Sequence, residues 1–240
     1  MNALYARINQ SVNISREAFI PLEKATSLSA ILAPDEAIIL EGDIVRSMFV
    51  IESGWAIRYK ILSDGRRQIL NFLLPGDCFG INSILKSQAD HNISAVSKMQ
   101  FRSISAETFI NIVKKDPKLA SAFWWVAIQE EAIFREQIIR VGVRTATERL
   151  THLLLELNQR ISMVEGKTSN FLRLPIPQLL FADALSLSVV HISRTFTKLK
   201  TMGVIEMTPS GIKILDRDKM ETISGFEGSY LHPSVFKLSA

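Results

Sequence analysis

The sequence predicts an α+β protein in which a unit of short strands is followed by one long helix and then by a smaller helical unit. Three observations predict this order. Turn signals recur at roughly ten-residue spacing before position 104, a heptad rhythm runs through residues 127–141, and two short helices and a hairpin come last. Because 47% of the 240 residues are hydrophobic, each unit can bury a core of its own.

The strand unit is predicted at residues 28–104, after a polar lead-in with a short helix around residues 16–22. Its clearest hairpin turns at Asp64-Gly65, where a tight turn needs positive φ. Side chains alternate along its arms, which carry Trp55, Ile57, Tyr59 and Ile61 on the first and Gln68, Leu70, Phe72 and Leu74 on the second. Short strands with such regular turns predict an antiparallel sandwich or barrel.

A long helix is predicted to begin at Asp116-Pro117 and to reach about Arg140. Apolar residues surround this helix on more than one side, so more than one side must be covered. The strand unit can cover one side, and we expect a second copy of the chain to cover another; burial within one chain is the alternative. The predicted homodimer interface follows the heptad spacing and consists of Ala127, Phe134, Ile138 and Val141.

The last unit contains two helices and a hairpin. Pro177 is predicted to occupy the first position of a short helix, Gln178–Leu185. Ser188 caps a second helix that runs to about Met202, and a small hairpin follows within residues 204–215. The second helix has a predicted inward stripe of Val189, Ile192, Phe196 and Leu199, and a predicted outward face of Val190, His191, Arg194, Thr195 and Lys198.

This order of elements is typical of a winged helix-turn-helix, whose second helix enters the DNA major groove. Between residues 190 and 200 the chain carries three cations and no acidic residue. Arg194 can bind guanine O6 and N7 bidentately, and Ser188 and Ser193 can donate to phosphates or bases. The sequence therefore predicts binding of double-stranded DNA. The alternative is a small-molecule-binding or protein-interaction module whose winged helix does not read DNA.

Four segments together resemble the cyclic-AMP receptor protein/fumarate–nitrate regulator (CRP/FNR) superfamily of bacterial transcription regulators. They are FLLPGDCFG at 72–80, RTATERL at 144–150, LSLSVVHISRT at 185–195 and LKTMGVI at 199–205. The resemblance covers residues 28–222. It implies a cyclic-nucleotide-binding-like β-roll of the jelly-roll type, a dimerisation helix and a winged helix-turn-helix. It also implies a homodimer that binds an inverted-repeat operator and works with RNA polymerase.

The resemblance and the order of elements together give the expected domains. The expected boundaries are 1–115 for the cyclic-nucleotide-binding-like sensor domain, 116–142 for the dimerisation helix and 143–225 for the winged helix-turn-helix DNA-binding domain. Residues 226–240 form a C-terminal tail that contains several aromatic residues. This tail can pack on the body of the protein or on a partner, and the sequence favours neither.

The resemblance implies DNA contacts at Ser193 and Arg194, which match the Ser-Arg pair of the family's recognition helix. The family usually has a glutamate where this chain has Val190. Valine cannot accept from a cytosine amino group, so the operator should differ from the best-known one. Gln178 stands where many relatives have a phosphate-binding arginine. The predicted DNA-binding residues are Gln178, Ser188, Val190, His191, Ser193, Arg194 and Lys198.

The sensor departs from the family members that bind cyclic AMP, which carry a glutamate directly after the pocket glycine and a later Arg-Ser pair. Here Ile81 follows Gly80, and Ile93-Ser94 replaces the pair. A cyclic phosphate would thereby lose a charge-assisted contact of roughly 1.5–3 kcal/mol. We therefore expect poor binding of cyclic AMP, and the effector stays unidentified. The predicted sensor pocket offers neutral groups only, at Gly80, Asn82, Ser83, Asn92 and Ser94.

Composition argues against several classes of function. The single cysteine, Cys78, excludes an internal disulfide and an all-cysteine cage for zinc or an iron–sulfur cluster, and it suits a cytoplasmic location. The resemblance implies that a haem-binding member would use His or Cys ligands in the sensor, where His91 and Cys78 are the sole candidates, and surface or structural roles are favoured for both. No catalytic arrangement stands out, so we expect no enzyme activity, cofactor or metal. No signal peptide or membrane-spanning stretch is predicted.

Overall fold

The first unit of the computed structural model, which describes residues 1–10, 12–29, 31–80 and 88–231, is a β-roll. Its strands are β1 (Ser27–Leu28), β2 (Ala37–Ile39), β3 (Ser47–Ser53), β4 (Ala56–Ile61), β5 (Arg67–Leu73), β6 (Cys78–Phe79), β7 (Asn92–Ala95) and β8 (Gln100–Ser105). They form two antiparallel sheets in the orders β1-β8-β3-β6 and β2-β7-β4-β5. Both sheets contribute to one core, where Ile51 and Ile93 are fully buried, so the predicted sandwich is confirmed.

The predicted hairpin is confirmed as β4 and β5, with Gly65 at positive φ in the turn. Its alternation, however, is wrong at Leu70. Arg58 pairs with Asn71 while Tyr59 pairs with Ile69, so Leu70 is an extra residue with no partner opposite it. Such a bulge reverses the faces of the residues that follow it along the strand. As a result Ile69, and not Leu70, is fully buried.

Five helices accompany the roll and lead out of it: α1 (Asn2–Asn9), α2 (Arg16–Ala25), α3 (Ala106–Val113), α4 (Pro117–Gly142) and α5 (Ala146–Glu165). The predicted start of α4 is confirmed, because the Asp116 carboxylate accepts from the backbone N–H groups of Lys118 at 2.9 Å and Leu119 at 3.1 Å. Helix α1 is absent from the sequence prediction. It forms where its apolar residues Leu4 and Ile8 become fully buried.

The winged unit consists of α6 (Gln178–Leu185), α7 (Val189–Thr201), α8 (Arg217–Ser224) and a sheet of β9 (Phe171–Arg173), β10 (Ile205–Thr208) and β11 (Gly211–Ile214) in the order β10-β11-β9. The two predicted helices and the hairpin are confirmed; β9 and α8 are additions. Pro177 is the residue before the helix and not its first residue, since its ψ of 158° is extended. Ser188 caps α7 as predicted, with its hydroxyl oxygen accepting from the His191 N–H at 3.2 Å.

Two predicted orientations in α7 are wrong. The sequence pattern predicts Val189 inside, but it is 43% exposed; it predicts Thr195 outside, but that residue is buried. The buried stripe is Ile192, Thr195, Phe196 and Leu199, which is the usual i, i+3, i+4, i+7 spacing of one helix face. Thr195 tolerates burial because its hydroxyl donates to the His191 carbonyl at 2.8 Å.

The end of the described chain packs on its own body. Residues Gly228–Leu231 form a 3₁₀ turn against α4 and α5. The Tyr230 hydroxyl donates to Glu156 Oε2 at 2.8 Å, and Gln129 Nε2 donates to the Leu231 carbonyl at 2.7 Å. The part of the predicted tail up to Leu231 thus covers the protein itself, and the remaining nine residues lie outside the described ones.

A chain of buried ion pairs joins the roll to the helices. Glu156 on α5 contacts Arg140 of α4 at 2.5 Å, and Arg160, also on α5, contacts Asp77 of the roll at 2.5 Å. Arg7 of α1 reaches the same Asp77 carboxylate at 2.8 Å. Because all five side chains are buried, each charge depends on its partners in place of water.

His152 on α5 lies at the end of this chain of charges. Arg140 donates to its Nδ1 at 3.0 Å, and its Nε2 lies 3.2 Å from Glu136 Oε2, so the ring fits here as a neutral imidazole protonated on Nε2. Burial, together with the neighbouring Arg140 and Arg144, lowers the pKa of His152 from 6.5 to about 2.

We expect this histidine to make the protein less stable in acid. The unfolded histidine takes up a proton below pH 6.5 while the folded one resists it, so the free energy of unfolding falls as pH drops below 6.5, by up to about 1.4 kcal/mol per pH unit. Urea unfolding at several pH values measures the slope. A His152→Gln variant should have a shallower slope in this window, and identical slopes in the two proteins would contradict the assignment.

Among the residues described, no single helix is long and apolar enough to cross a membrane. Helices α6 and α7, which meet at 104°, reach a membrane-spanning length and hydrophobicity only when the two are combined, and by length and composition alone. The apolar residues of this pair form the core of the winged unit, where Phe181, Ile192 and Leu199 are buried.

Candidate nucleic-acid interface

Most of the predicted DNA-binding residues line one shallow hollow on the outer side of α7, with a volume of about 350 Å³. We call this surface the α7 face, and its residues are Thr147, Ser188, Val190, His191, Arg194, Thr195 and Lys198. Five of the seven predicted residues therefore lie together. Ser193 is exposed on α7 outside this hollow, and Gln178 is half-buried at the first position of α6.

Helix α7 is held firmly from behind. The rings of Phe181 on α6 and Phe196 on α7 pack edge to face at 5.7 Å, and Ile192 and Leu199 are fully buried beside them. The turn between the helices passes through Ser186 at a φ of 54°, which sets α7 at an angle to α6. A helix packed along one side in this way presents its other side as a rigid surface.

The charges of the α7 face are available to a partner. Arg194 is exposed, and within the described ranges it has no ion pair or hydrogen bond. Lys198 donates only to the Thr147 hydroxyl, at 3.2 Å, and no acidic residue lines the surface. Val190 is 60% exposed and extends an apolar tip beside these cations. The arrangement combines two cations, hydroxyl donors, an imidazole and an apolar contact, which are the groups that contact phosphates and base edges.

Thr147 is absent from the residues predicted from sequence. It lies on the first turn of α5, 51 residues before Lys198, and only the packing of α5 beside α7 brings the two together. Its place in the first turn after the Thr145 cap is the only local signal, and polar residues are common at helix starts.

The β4–β5 hairpin of the roll contacts the winged unit at α6 and at the turn between α6 and α7. Arg67 contacts Asp183 of α6 at 2.7 Å, and the Ser186 hydroxyl donates to Gln68 Oε1 at 2.8 Å. The rings of Phe72 and Phe181 lie 6.0 Å apart across the same junction. The position of the α7 face relative to the roll therefore depends on side chains of β5.

One side of α4 carries exposed apolar residues at heptad spacing, with the exposed Glu131 between Ala127 and Phe134. Trp124 is 73% exposed and Ile138 is 69% exposed; Ala127 between them is exposed, and Phe134 and Val141 are half-buried. We call these five residues the α4 stripe. The opposite side of α4 is covered by the same chain, as burial of Trp125, Val126 and Ile133 indicates. Exposed apolar residues concentrated along one side of a helix usually mark an interface.

The described residues of the predicted sensor pocket already have partners in the chain or no room. Asn92 Oδ1 accepts from the Glu41 N–H at 3.0 Å, and the Ser94 hydroxyl lies 3.1 Å from the Tyr59 hydroxyl. Gly80 has a φ of 85°, and a side chain there would collide with the Ser47 carbonyl. The predicted pocket residues Asn82 and Ser83 lie outside the described residues.

Arg58 places a guanidinium beside Ile93, the position where cyclic-AMP-binding members carry the pocket arginine, but this group already pairs with Glu130. Arg58 is paired across the strands with Ile93, so both side chains lie on the same face of the sheet. The Arg58 side chain is buried against α4, where it contacts Glu130 at 2.5 Å and lies 5.4 Å from the Phe134 ring. An anionic ligand would have to compete with Glu130 for this cation.

The two candidate haem ligands lie in different settings. Cys78 is buried in β6, and burial raises the pKa of its thiol to about 12, so the group stays protonated. His91 forms a hydrogen bond with Asp90 through Nδ1 at 2.8 Å, and burial lowers its pKa. Over residues 1–80 and 88–231, less positions 11 and 30, no group of three or more His, Cys, Asp or Glu side chains could hold a metal ion.

Comparisons with known proteins match both units. Residues 31–116 match the family of the cyclic nucleotide-binding domain, and residues 148–223 match the Crp-like helix-turn-helix domain. The nitrogen fixation regulation protein FixK of Bradyrhizobium diazoefficiens is 32% identical over 79% of this chain and 78% of its own length. The transcriptional activatory protein AadR of Rhodopseudomonas palustris is 31% identical over 80% of this chain and 79% of its own.

The fold is similar to solved structures of the same kind. The structure of FixK2 from Bradyrhizobium japonicum has a TM-score of 0.75 at 25% identity and covers 84% of this chain and 98% of that chain. The relatives named here are regulators, and their similarity extends through the roll, the long helix and the winged unit alike.

Proposed function

Since the chain belongs to the CRP/FNR superfamily of bacterial transcription regulators, we propose that it binds an inverted-repeat DNA operator as a homodimer, with α7 in the major groove. The observation that carries this proposal is the α7 face, where Arg194 and Lys198 are exposed and have no acidic partner in the described part of the chain. A protein-interaction role would be favoured by burial of these two side chains or by their pairing with acids.

The proposed homodimer forms through the α4 stripe. Its residues repeat at the heptad spacing, so two copies of α4 can pack along a two-fold axis and cover both stripes. Two α7 helices related by that axis would then face successive major grooves about 34 Å apart. The domain boundaries expected from sequence, 1–115, 116–142, 143–225 and 226–240, assign this dimer contact to the second segment. RNA polymerase is a further proposed partner, and the cytoplasm the proposed location.

Selection of bound sequences from a random DNA pool tests the proposal most directly. The selected sequences should contain an inverted repeat whose half-site centres lie about one helical turn apart. Recovery of no preferred sequence at low salt would contradict DNA reading, and recovery of single half-sites would contradict the homodimer.

Arg194→Ala should weaken binding to the selected operator by roughly 1–3 kcal/mol per half-site, because a guanine would lose its bidentate partner. The loss should relax the preference at one base pair of each half-site. Lys198→Ala is the matched control, since a phosphate contact weakens all sequences alike and reduces the salt dependence by about one unit per contact. Titration against single-base operator variants separates the two roles, and a uniform loss for Arg194→Ala would exclude base reading by this residue.

Val190→Glu tests the position at which the chain departs from its family. The introduced carboxylate can accept from a cytosine amino group, so preference should shift toward cytosine at the facing base pair while the selected operator binds less well. The same panel of operator variants measures this shift, and an unchanged base preference would show that residue 190 does not face a base.

Cyclic AMP should bind weakly or not at all, because the described pocket groups Asn92 and Ser94 are engaged and Arg58 is held by Glu130. Calorimetry should give no saturable heat at micromolar nucleotide. Glu130→Gln frees the Arg58 guanidinium and serves as a comparison, since any anion site limited by this ion pair should strengthen in the variant. Saturable micromolar binding to the unaltered protein, together with tighter operator binding, would contradict the prediction.

A further inference from the structure

A cleft of about 650 Å³ lies between the roll and the winged unit, at the opposite end of α5 from the α7 face. Three turns of the roll form one wall, at Ser53-Gly54, Pro75 and Ser97-Lys98. The end of α5 and strand β9 form the other wall. We call this space the interdomain cleft. None of the sensor-pocket residues or the α7-face residues lines it.

Both walls of the interdomain cleft are fixed by contacts within the chain. Gly54 has a φ of 79°, and a Cβ there would lie 2.3 Å from the Lys98 carbonyl oxygen, so two of the turns approach as closely as glycine allows. The Trp55 N–H donates to the Ser97 hydroxyl at 2.9 Å and links the same turns. On the other wall the Phe171 N–H donates to the Ser169 hydroxyl at 3.0 Å. Preformed walls of this kind are typical of small-molecule sites.

The cleft has an excess of unpaired positive charge. Lys98, Lys167 and Arg173 line it, all three are exposed, and none has an ion pair or a side-chain hydrogen bond within the described residues. Of the two acids in the lining, Glu52 is already engaged by Arg102 at 2.9 Å and by the amino terminus. Glu165 is the other acid, so cations outnumber available carboxylates.

Apolar side chains lie between these cations. Trp55 is buried in the floor of the cleft, and Ile161 and Phe171 are half-buried in its wall. A volume of about 650 Å³ falls within the range of roughly 300–1,000 Å³ that ligand pockets occupy. The cleft thus combines an apolar surface with cations at its rim, and this pairing suits a molecule with an apolar body and an acidic group.

We propose that the interdomain cleft binds an organic anion, with its carboxylate, sulfonate or phosphate at Lys98, Lys167 and Arg173 and its apolar or aromatic body against Trp55, Ile161 and Phe171. The ligand would contact both units at once. Arg173 ends β9, and Pro175 of the cleft lies two residues before Pro177, which directly precedes α6. A ligand in the cleft would therefore change operator affinity, a step that rests on the proposed function, whereas binding itself does not.

A matched pair of fluorescent probes tests the proposal in the full chain. The anion 8-anilinonaphthalene-1-sulfonate and the neutral N-phenyl-1-naphthylamine share one aromatic body and differ in the sulfonate. The anion should bind saturably and about tenfold or more tighter than the neutral probe, because charge-assisted contacts add to the same apolar burial. Equal affinities for the two probes would overturn the proposal.

A double variant with Lys167→Gln and Arg173→Gln should bind the anion about tenfold or more weakly and the neutral probe almost unchanged. The matched control combines Lys114→Gln with Lys115→Gln, which removes the same charge from exposed positions outside the cleft. An equal loss in both double variants, or no loss in either, would contradict a site at this cleft. Because these titrations contain no DNA, they separate failure of the cleft from failure of operator binding.

Discussion

Replacing Ile138 with glutamate is expected to dissociate the proposed homodimer and to abolish tight operator binding. The Ile138 side chain is 69% exposed in a single chain, so the variant subunit should fold as the unaltered one does. In the dimer, by contrast, the two copies would bury two unpaired carboxylates near the two-fold axis. An uncompensated buried charge costs about 3–5 kcal/mol, which corresponds to a loss of dimer affinity of roughly 10²- to 10³-fold or more.

Light scattering at micromolar protein and titration of an operator measure this loss. Ile61→Glu is the matched control, because Ile61 is 53% exposed at the tip of the β4–β5 hairpin, outside the α4 stripe. The control should remain dimeric and bind the operator normally. A dimeric Ile138→Glu variant would exclude this part of the stripe from the interface, and a monomeric unaltered protein would exclude the dimer altogether. We prefer Ile138 to Phe134 for this test because Phe134 also packs against Arg58 of its own chain.

Replacing Glu156 with glutamine is expected to destabilise the protein by about 3–5 kcal/mol. Glutamine keeps the shape of the side chain but removes the charge that Arg140 contacts at 2.5 Å. Arg140 is 1% exposed, so water cannot replace the lost partner. Arg160 would retain Asp77, whereas Arg140 would be left with neutral acceptors only.

Urea unfolding compares this variant with Glu221→Gln. Glu221 contacts Arg217 at 2.8 Å on the surface helix α8, and the loss of such a partly exposed pair costs about 0–1 kcal/mol. A loss of less than about 1 kcal/mol for Glu156→Gln would show that the buried charges are not coupled as the distances indicate.

The sequence predicted those parts of the fold that local chemistry determines. Asp116-Pro117 and Ser188 mark the beginnings of α4 and α7, since capping depends on the residue itself and its next three neighbours. The orientation of Thr195 and the bulge at Leu70 could not be predicted in this way. A threonine is equally compatible with either side of a helix, and a bulge depends on the strand opposite.

The same distinction between local sequence and long-range packing applies to the residues of the candidate site. Ser188, Val190, His191, Arg194 and Lys198 share one stretch of helix, and their shared face could be predicted from periodicity. Thr147 reaches that face only through packing, and Arg58 meets Glu130 across 72 residues of sequence. Contacts of this range depend on how the units assemble, and no local pattern in the chain encodes them.

The contacts between the β4–β5 hairpin and α6 limit which domains of this protein can be recombined with those of its relatives. A chimera that joins this roll to a foreign winged unit would set Arg67, Gln68 and Phe72 against residues other than the Asp183, Ser186 and Phe181 that they contact here. The graft boundary that works best should therefore not be a single point in the linear sequence. Successful recombinants should inherit β5 from the same parent as α6, although more than a hundred residues separate the two elements.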